Sequence, residues 1–213
     1  LMALMAAMSW RGLDGMVGAQ KRLSQHSDDV LALQTALAQW GADLDALALQ
    51  PNTPNIDWDG RALRLLRRGS QSADEGLHVV AWSQRLVGGT AYWLRWQSPA
   101  LTDKNSLQLA WQQAARWGQN PSTDDQARET PLIPVDQWQL VYFRGNAWTN
   151  PLSSAATTAT ASPTAGIPTS APAAEPTSAP DAIRLLLDLP PGSAVSGRLT
   201  IDWVRPHFSN TKS

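Results

Sequence analysis

An unbroken apolar periodicity opens the chain. Leu1-Met2-Ala3-Leu4-Met5-Ala6-Ala7-Met8 begins it, and Leu13, Met16, Ala19, Leu23, Val30, Leu33, Leu37, Trp40, Leu44 and Leu47 carry it on. From Met16 the steps alternate three and four, with His26 in the single polar slot, which is the spacing of one helical stripe. No proline intervenes before Pro51, and Gly12, Gly15, Gly18 and Gly41 each weaken a helix by about 1 kcal/mol relative to Ala without ending it. The pattern predicts one helix over residues 1 to about 48, roughly 70 Å long at about 1.5 Å per residue. One small domain cannot cover such a rod. Residues 1–24 must therefore pack on lipid or on other helices, and Val30, Leu33, Leu37, Trp40 and Leu44 fall where the helix lies on its own domain, residues 25–213.

Residues 1–8 would span only about 12 Å, against the ~20 residues that a bilayer crossing needs. Trp10 and Arg11 follow, an aromatic and a cation of the kind favoured at the edge of a hydrocarbon layer. The run is thus expected to be the trailing end of a longer membrane helix that starts before Leu1.

After the breaker at 51–55 the texture changes to period two. Strands are predicted at 62–68, 77–85, 90–97, 137–144, 183–189 and 198–204, with Val87-Gly88-Gly89 turning a hairpin. In the last run Leu199, Ile201 and Trp203 share a face opposite Arg198, Thr200 and Asp202, which argues for antiparallel sheet with one wet side. A second helix is predicted over about 104–118, with Leu107, Trp111, Ala114 and Trp117 on one side and Asn120-Pro121 ending it. Residues 153–182 stand apart, since 26 of these 30 are Ala, Ser, Thr or Pro and none is aromatic. Such a composition cannot bury enough apolar surface to offset its ordering entropy, and it predicts a disordered insertion at a hairpin tip. The fold class is α+β, a long helix on a small antiparallel sheet.

Charge and chemistry add mostly exclusions. A formal net charge of -1 removes the basic face that nucleic acid requires, and the absence of Cys removes disulfides and thiolate chemistry. His26, His78 and His207 sit in no catalytic or zinc motif, so they read as structural or solvent residues. The acid pairs Asp43 with Asp45 and Asp124 with Asp125 read as solvated surface. Asn55-Ile56-Asp57-Trp58-Asp59-Gly60 begins like a calcium loop, but Leu66 occupies the place of the closing Glu, so a turn with Gly60 at positive φ explains the run better. No catalytic residue, metal or cofactor is expected. The 11 Trp, beside two Phe and two Tyr, suggest Trp as the core aromatic, although Trp93 and Trp96 lie on opposite faces of one strand and one of them is expected at the surface.

Together these features resemble type IV pilins and type II secretion pseudopilins. Met8-Ser9-Trp10-Arg11-Gly12-Leu13-Asp14-Gly15-Met16, continued by Leu31-Ala32-Leu33-Gln34 and Trp40-Gly41-Ala42-Asp43-Leu44, is similar to the helix of the minor pseudopilin J family (GspJ/PulJ). Trp138-Gln139-Leu140-Val141-Tyr142, followed by Trp148-Thr149-Asn150-Pro151-Leu152, resembles the family's strand and Trp-x-Asn-Pro corner, and residues 183–205 resemble its last two strands. The family's processing site, Gly before Phe-Thr with a Glu four residues past the Phe, would precede Leu1.

The resemblance implies a pilin-like fold and a structural, non-enzymatic subunit at the tip of a periplasmic pseudopilus. It implies other minor and major pseudopilins as partners and an inner-membrane anchor through the N-terminal helix. Leu4, Met5, Met8, Trp10, Leu13, Met16 and Val17 would then form the assembly interface. A minor pilin of a type IV pilus would share this architecture. A membrane-tethered glycan-binding module would instead need two or more Trp lying flat and solvent-facing in a groove, and an enzyme would need a buried polar cluster in a cleft.

Overall fold

The computed structural model describes residues 2–51, 53–69, 76–152 and 179–206, with side chains from Met16 onward. The long stripe folds as one helix, α1 (Met2–Asp45), of 44 residues, which is about 66 Å at about 1.5 Å per residue. It stops at Asp45 rather than near 48. Ala48 N donates to Leu66 O at 2.8 Å and Leu47 bridges Arg67, so these residues leave the helix to pair with a strand.

The remaining elements are β1 (Ile56–Trp58), β2 (Ala62–Arg68), β3 (Leu77–Val87), β4 (Thr90–Gln97), α2 (Lys104–Gln119), α3 (Thr123–Gln126), β5 (Glu129–Pro134), β6 (Gln137–Arg144), β7 (Ala147–Thr149), β8 (Ala182–Leu189) and β9 (Gly197–Val204). Every pairing is antiparallel, in two sheets rather than the single one expected, ordered β1-β2-β3-β4-β5 and β7-β6-β8-β9. The chain is α+β. At the β3–β4 hairpin Gly88 and Gly89 have φ of 60° and 89°, the left-handed pair that a tight type I′ turn demands.

The alternation in 198–204 does mark a sheet with one wet side, the four-stranded one, whereas the five-stranded sheet is covered on both faces. Its inner face, with Leu63, Leu65, Val80, Trp82 and Trp93, joins Trp40 and Leu44 of α1 and the inner face of the second sheet in one core. Its outer face, with Leu66, Val79, Ala81, Leu94 and Trp96, lies under Ala110, Ala114 and Trp117 of α2. Trp93 and Trp96 are therefore both fully buried, on opposite faces, because both faces are covered. Only the four-stranded sheet keeps a solvent face. There Arg184 pairs with Asp202 and Arg198 with Asp188, and the hydrogen bonds from these guanidinium groups hold both carboxyls below the usual range.

The insertion joins the fold differently from a hairpin tip. Thr149 of β7 pairs with Tyr142, and Ala182 of β8 pairs with Phe143, so β7 and β8 flank β6 and the connecting segment runs from one side of β6 to the other. Residues 153–178 lie outside the described residues. The segment's last residues belong to the body: Ala179 is buried, Asp181 N donates to Phe143 O at 3.0 Å, and Ala182 begins β8.

Two glycines separate helix propensity from packing. A Cβ on Gly41 of α1 would meet nothing within 4 Å, whereas one on Gly118 of α2 would lie 2.6 Å from the Ala62 Cβ. Urea unfolding should show Gly41→Ala stabilising by about 0.5–1 kcal/mol. Gly118→Ala should cost about 1–3 kcal/mol, because α2 must lift off β2 to make room.

Candidate assembly interface

Asp43 sits in the last turn of α1 and is wholly buried. Its Oδ2 accepts from Arg95 Nε at 2.7 Å and Trp82 Nε1 at 3.0 Å, while its Oδ1 accepts from Arg95 Nη2 at 2.9 Å and Gln39 Nε2 at 3.0 Å. Arg67 Nη1 stands 3.4 Å from the same Oδ1. A carboxylate without water is costly unless fully partnered, and here two guanidinium groups from β2 and β4 and an indole from β3 partner it. Helix and sheet are thereby keyed to each other at one height and one rotation.

The neighbouring acids add to the key. Asp45 accepts from Trp203 Nε1 of β9 at 2.8 Å, tying the same helix end to the second sheet. Asp45 is exposed, as its sequence suggested, whereas Asp43 is not the solvated surface carboxylate that its sequence suggested. Asp125 is likewise buried and caps α3. Burial pushes its carboxyl up, but hydrogen bonds from Gln113 and Ser122 and the charge of Arg116 leave it below the ordinary value. Sequence reasoning missed Asp43 because acids are almost never fully buried unless paired. The available clue was its place one turn beyond Gln39 and next to Leu44 on the packed side of the stripe.

Above this anchor the stripe passes from covered to bare. Trp40 and Leu44 are buried, Leu33 and Leu37 pack against the core, and Val30 is half-buried. Where the helix leaves the body, Ala194 N donates to Asp29 Oδ2 at 3.3 Å, beside a small cavity lined by Ala32, Leu33, Ile133 and Pro134. From Met16 to Asp29 every residue except Gly18 is exposed. Met16, Val17 and Leu23 are 73, 62 and 68% exposed. Leu4, Met5, Met8, Trp10 and Leu13 lie on the helical backbone of α1, and their side chains lie outside the described residues. The sequence-predicted interface is therefore held on one continuous rod.

The competing sites are taken up by the fold. Asn55 exchanges two hydrogen bonds with the Gln50 backbone, Asp57 pairs with Arg64, and Asp59 Oδ1 accepts from Arg61 N and Ala62 N. The expected turn contains a short strand, β1, and Gly60 does take a φ of 90°. Three of the oxygens that might face a calcium ion are thus engaged with protein groups, and no group of three or more metal-ligating side chains occurs among the described residues. His78 Nδ1 lies 3.0 Å from Ser98 O, His26 is exposed on α1, and His207 lies outside the described residues. Of the Trp residues with described side chains, Trp148 alone is classed as exposed, with Arg184 4.3 Å over its ring. No helix among the described residues is long and apolar enough to cross a membrane.

No protein-family model matches this chain, and no curated protein is similar to it.

Breaking the key should be expensive. Asp43→Ala leaves Arg67 and Arg95 facing each other with no counter-charge in a nearly dry site, and it is expected to lower unfolding free energy by about 3–5 kcal/mol. An effect below about 1 kcal/mol in urea unfolding would show that the network does not hold α1 in place.

Proposed function

We propose that this chain is a minor pseudopilin of a type II secretion system, a non-enzymatic subunit that enters a filament tip through its N-terminal helix. The observation that carries the reading is the bare stretch of α1 from Met16 to Asp29. An apolar stripe continues from the covered segment through Leu23 to Met16 with nothing on it. Isolated exposed apolar residues need no explanation, but a stripe in register with a packed seam marks a place where another surface belongs. Other helices of the same kind are its natural partners, giving contacts with neighbouring minor and major pseudopilins through Leu4, Met5, Met8, Trp10, Leu13, Met16 and Val17.

Support also comes from the arrangement of one long helix against antiparallel sheets, and from the local similarities at Trp10-Arg11-Gly12-Leu13 and Trp148-Thr149-Asn150-Pro151. The pilin-like fold, the inner-membrane anchor and the periplasmic placement of the body all belong to this proposal. A minor pilin of a type IV pilus would use the same helix in the same way. Burial of most Trp side chains favours assembly over a stacking platform for sugar.

The test separates assembly from folding. Met16→Asp and Leu23→Asp replace exposed residues and should leave unfolding free energy within about 0.5 kcal/mol of the parent. Both should abolish co-purification with neighbouring pseudopilins and entry into the filament. Normal assembly of the double variant would refute the proposed interface.

A further inference from the structure

Sheet edges expose unpaired backbone groups, and proteins blunt the edges that they do not use. Three of the four edges here are blunted. β1 and β7 are three residues long, and β5 carries Pro131 and Pro134, which lack donors. β9 is the exception: it has eight residues, no proline and no register shift against β8, and no described strand pairs with its outer side. Arg198, Thr200, Asp202 and Val204 on its outward face are all exposed.

The residues along this edge are self-complementary. If a second β9 lies antiparallel with Thr200 opposite its own copy, Arg198 faces Asp202, Leu199 faces Ile201 and Gly197 faces Trp203. Each chain already pairs Arg198 with Asp188 and Asp202 with Arg184 across β8 and β9. Closing the edge would therefore continue each pair into a row of alternating sign, Asp188, Arg198, Asp202 and Arg184, running across both copies. The inner row would set Leu199 and Ile201, half-buried at present, against the same two residues of the partner. Thr beside Thr, aliphatic beside aliphatic and opposite charges face to face are all favourable cross-strand neighbours. Centring the two-fold on residue 198 or on residue 202 would instead place like charges opposite each other, which is unfavourable.

We propose that β9 is a self-pairing edge, through which two copies of this chain join their four-stranded sheets across a two-fold axis at Thr200. Such an isologous contact closes on itself and cannot extend into a fibre. It lies on the second sheet and does not depend on the helix contacts proposed above.

The absence of Cys makes the test clean, because a single introduced thiol has no competitor. Full-length Thr200→Cys, oxidised mildly, should shift from monomer to disulfide-linked dimer, since antiparallel partners stand about 4.5–5.5 Å apart at Cα, within disulfide reach. Gln139→Cys, exposed on the outward face of β6 two strands away, should stay monomeric under the same conditions. Mixing Arg198→Cys with Asp202→Cys should give a mixed dimer, while neither alone gives a homodimer. Thermal unfolding at the parent temperature shows that each variant is folded. A folded Thr200→Cys protein that remains monomeric with a thiol open to alkylation overturns the proposal, as does crosslinking no faster than that of Gln139→Cys. Dimerisation of Thr200→Cys that persists undiminished when Arg198→Glu is added overturns the charge-selected register.

Discussion

Where a helix can sit on a sheet is usually a matter of many interchangeable apolar contacts, but in this chain a single carboxylate restricts the choice. Asp43 is wholly shielded from solvent, and its partners come from three strands of the five-stranded sheet, Arg67 on β2, Trp82 on β3 and Arg95 on β4. Rotating α1 by one residue, about 100° at 3.6 residues per turn, would strand this charge against apolar walls. Trp40 and Leu44 are thereby fixed against the sheet. The length of helix that emerges beyond the body follows from the same point, because the anchor lies at the C-terminal end and the body reaches only to about Asp29.

Carboxylate and indole recur together elsewhere. Trp82 donates to Asp43, Trp203 to Asp45 and Trp117 to Glu129, and Glu129 also holds Arg85. Each indole offers a large apolar body and one polar atom, so it can fill the core and at the same time give a partner to an acid within the core or at its margin. Phe would fill the same space without the donor. Around Trp40 the rings meet Trp82 at 5.3 Å and 82° and Trp138 at 6.5 Å and 87°, the edge-to-face geometry favoured by the ring quadrupole. The Trp-rich composition thus has a structural account within the described residues.

Periodicity made most of the fold legible. The stripe from Met16 to Leu44 forecast α1, and the alternation in 62–68, 137–144 and 198–204 forecast three strands closely. What escaped has particular causes. β5 contains two prolines and reads as loop, β1 and β7 are too short to show a period, and the second layer over the five-stranded sheet escaped because the wet side read from 198–204 belongs to the four-stranded sheet alone. The buried acids escaped because residue type argues for the surface, and only the three-dimensional meeting of Asp43 with Arg95 and Arg67, 52 and 24 positions away along the chain, shows otherwise. The exposed stretch from Met16 to Asp29, by contrast, was readable from length alone, since the remaining chain is too small to shelter the whole rod.

Native-state hydrogen exchange along α1 tests the central claim most directly, because it reports where the rod is held. In the isolated full-length chain, amides from Ala36 to Leu44 should open only with global unfolding, while those from Met16 to Gln25 should exchange through local fraying at far lower free energy. Under the proposed function, adding other minor and major pseudopilins should then protect the second group and leave the first unchanged. Equal protection of both groups in the isolated chain would contradict the account, because it would mean that the upper stripe already has its partner within this molecule.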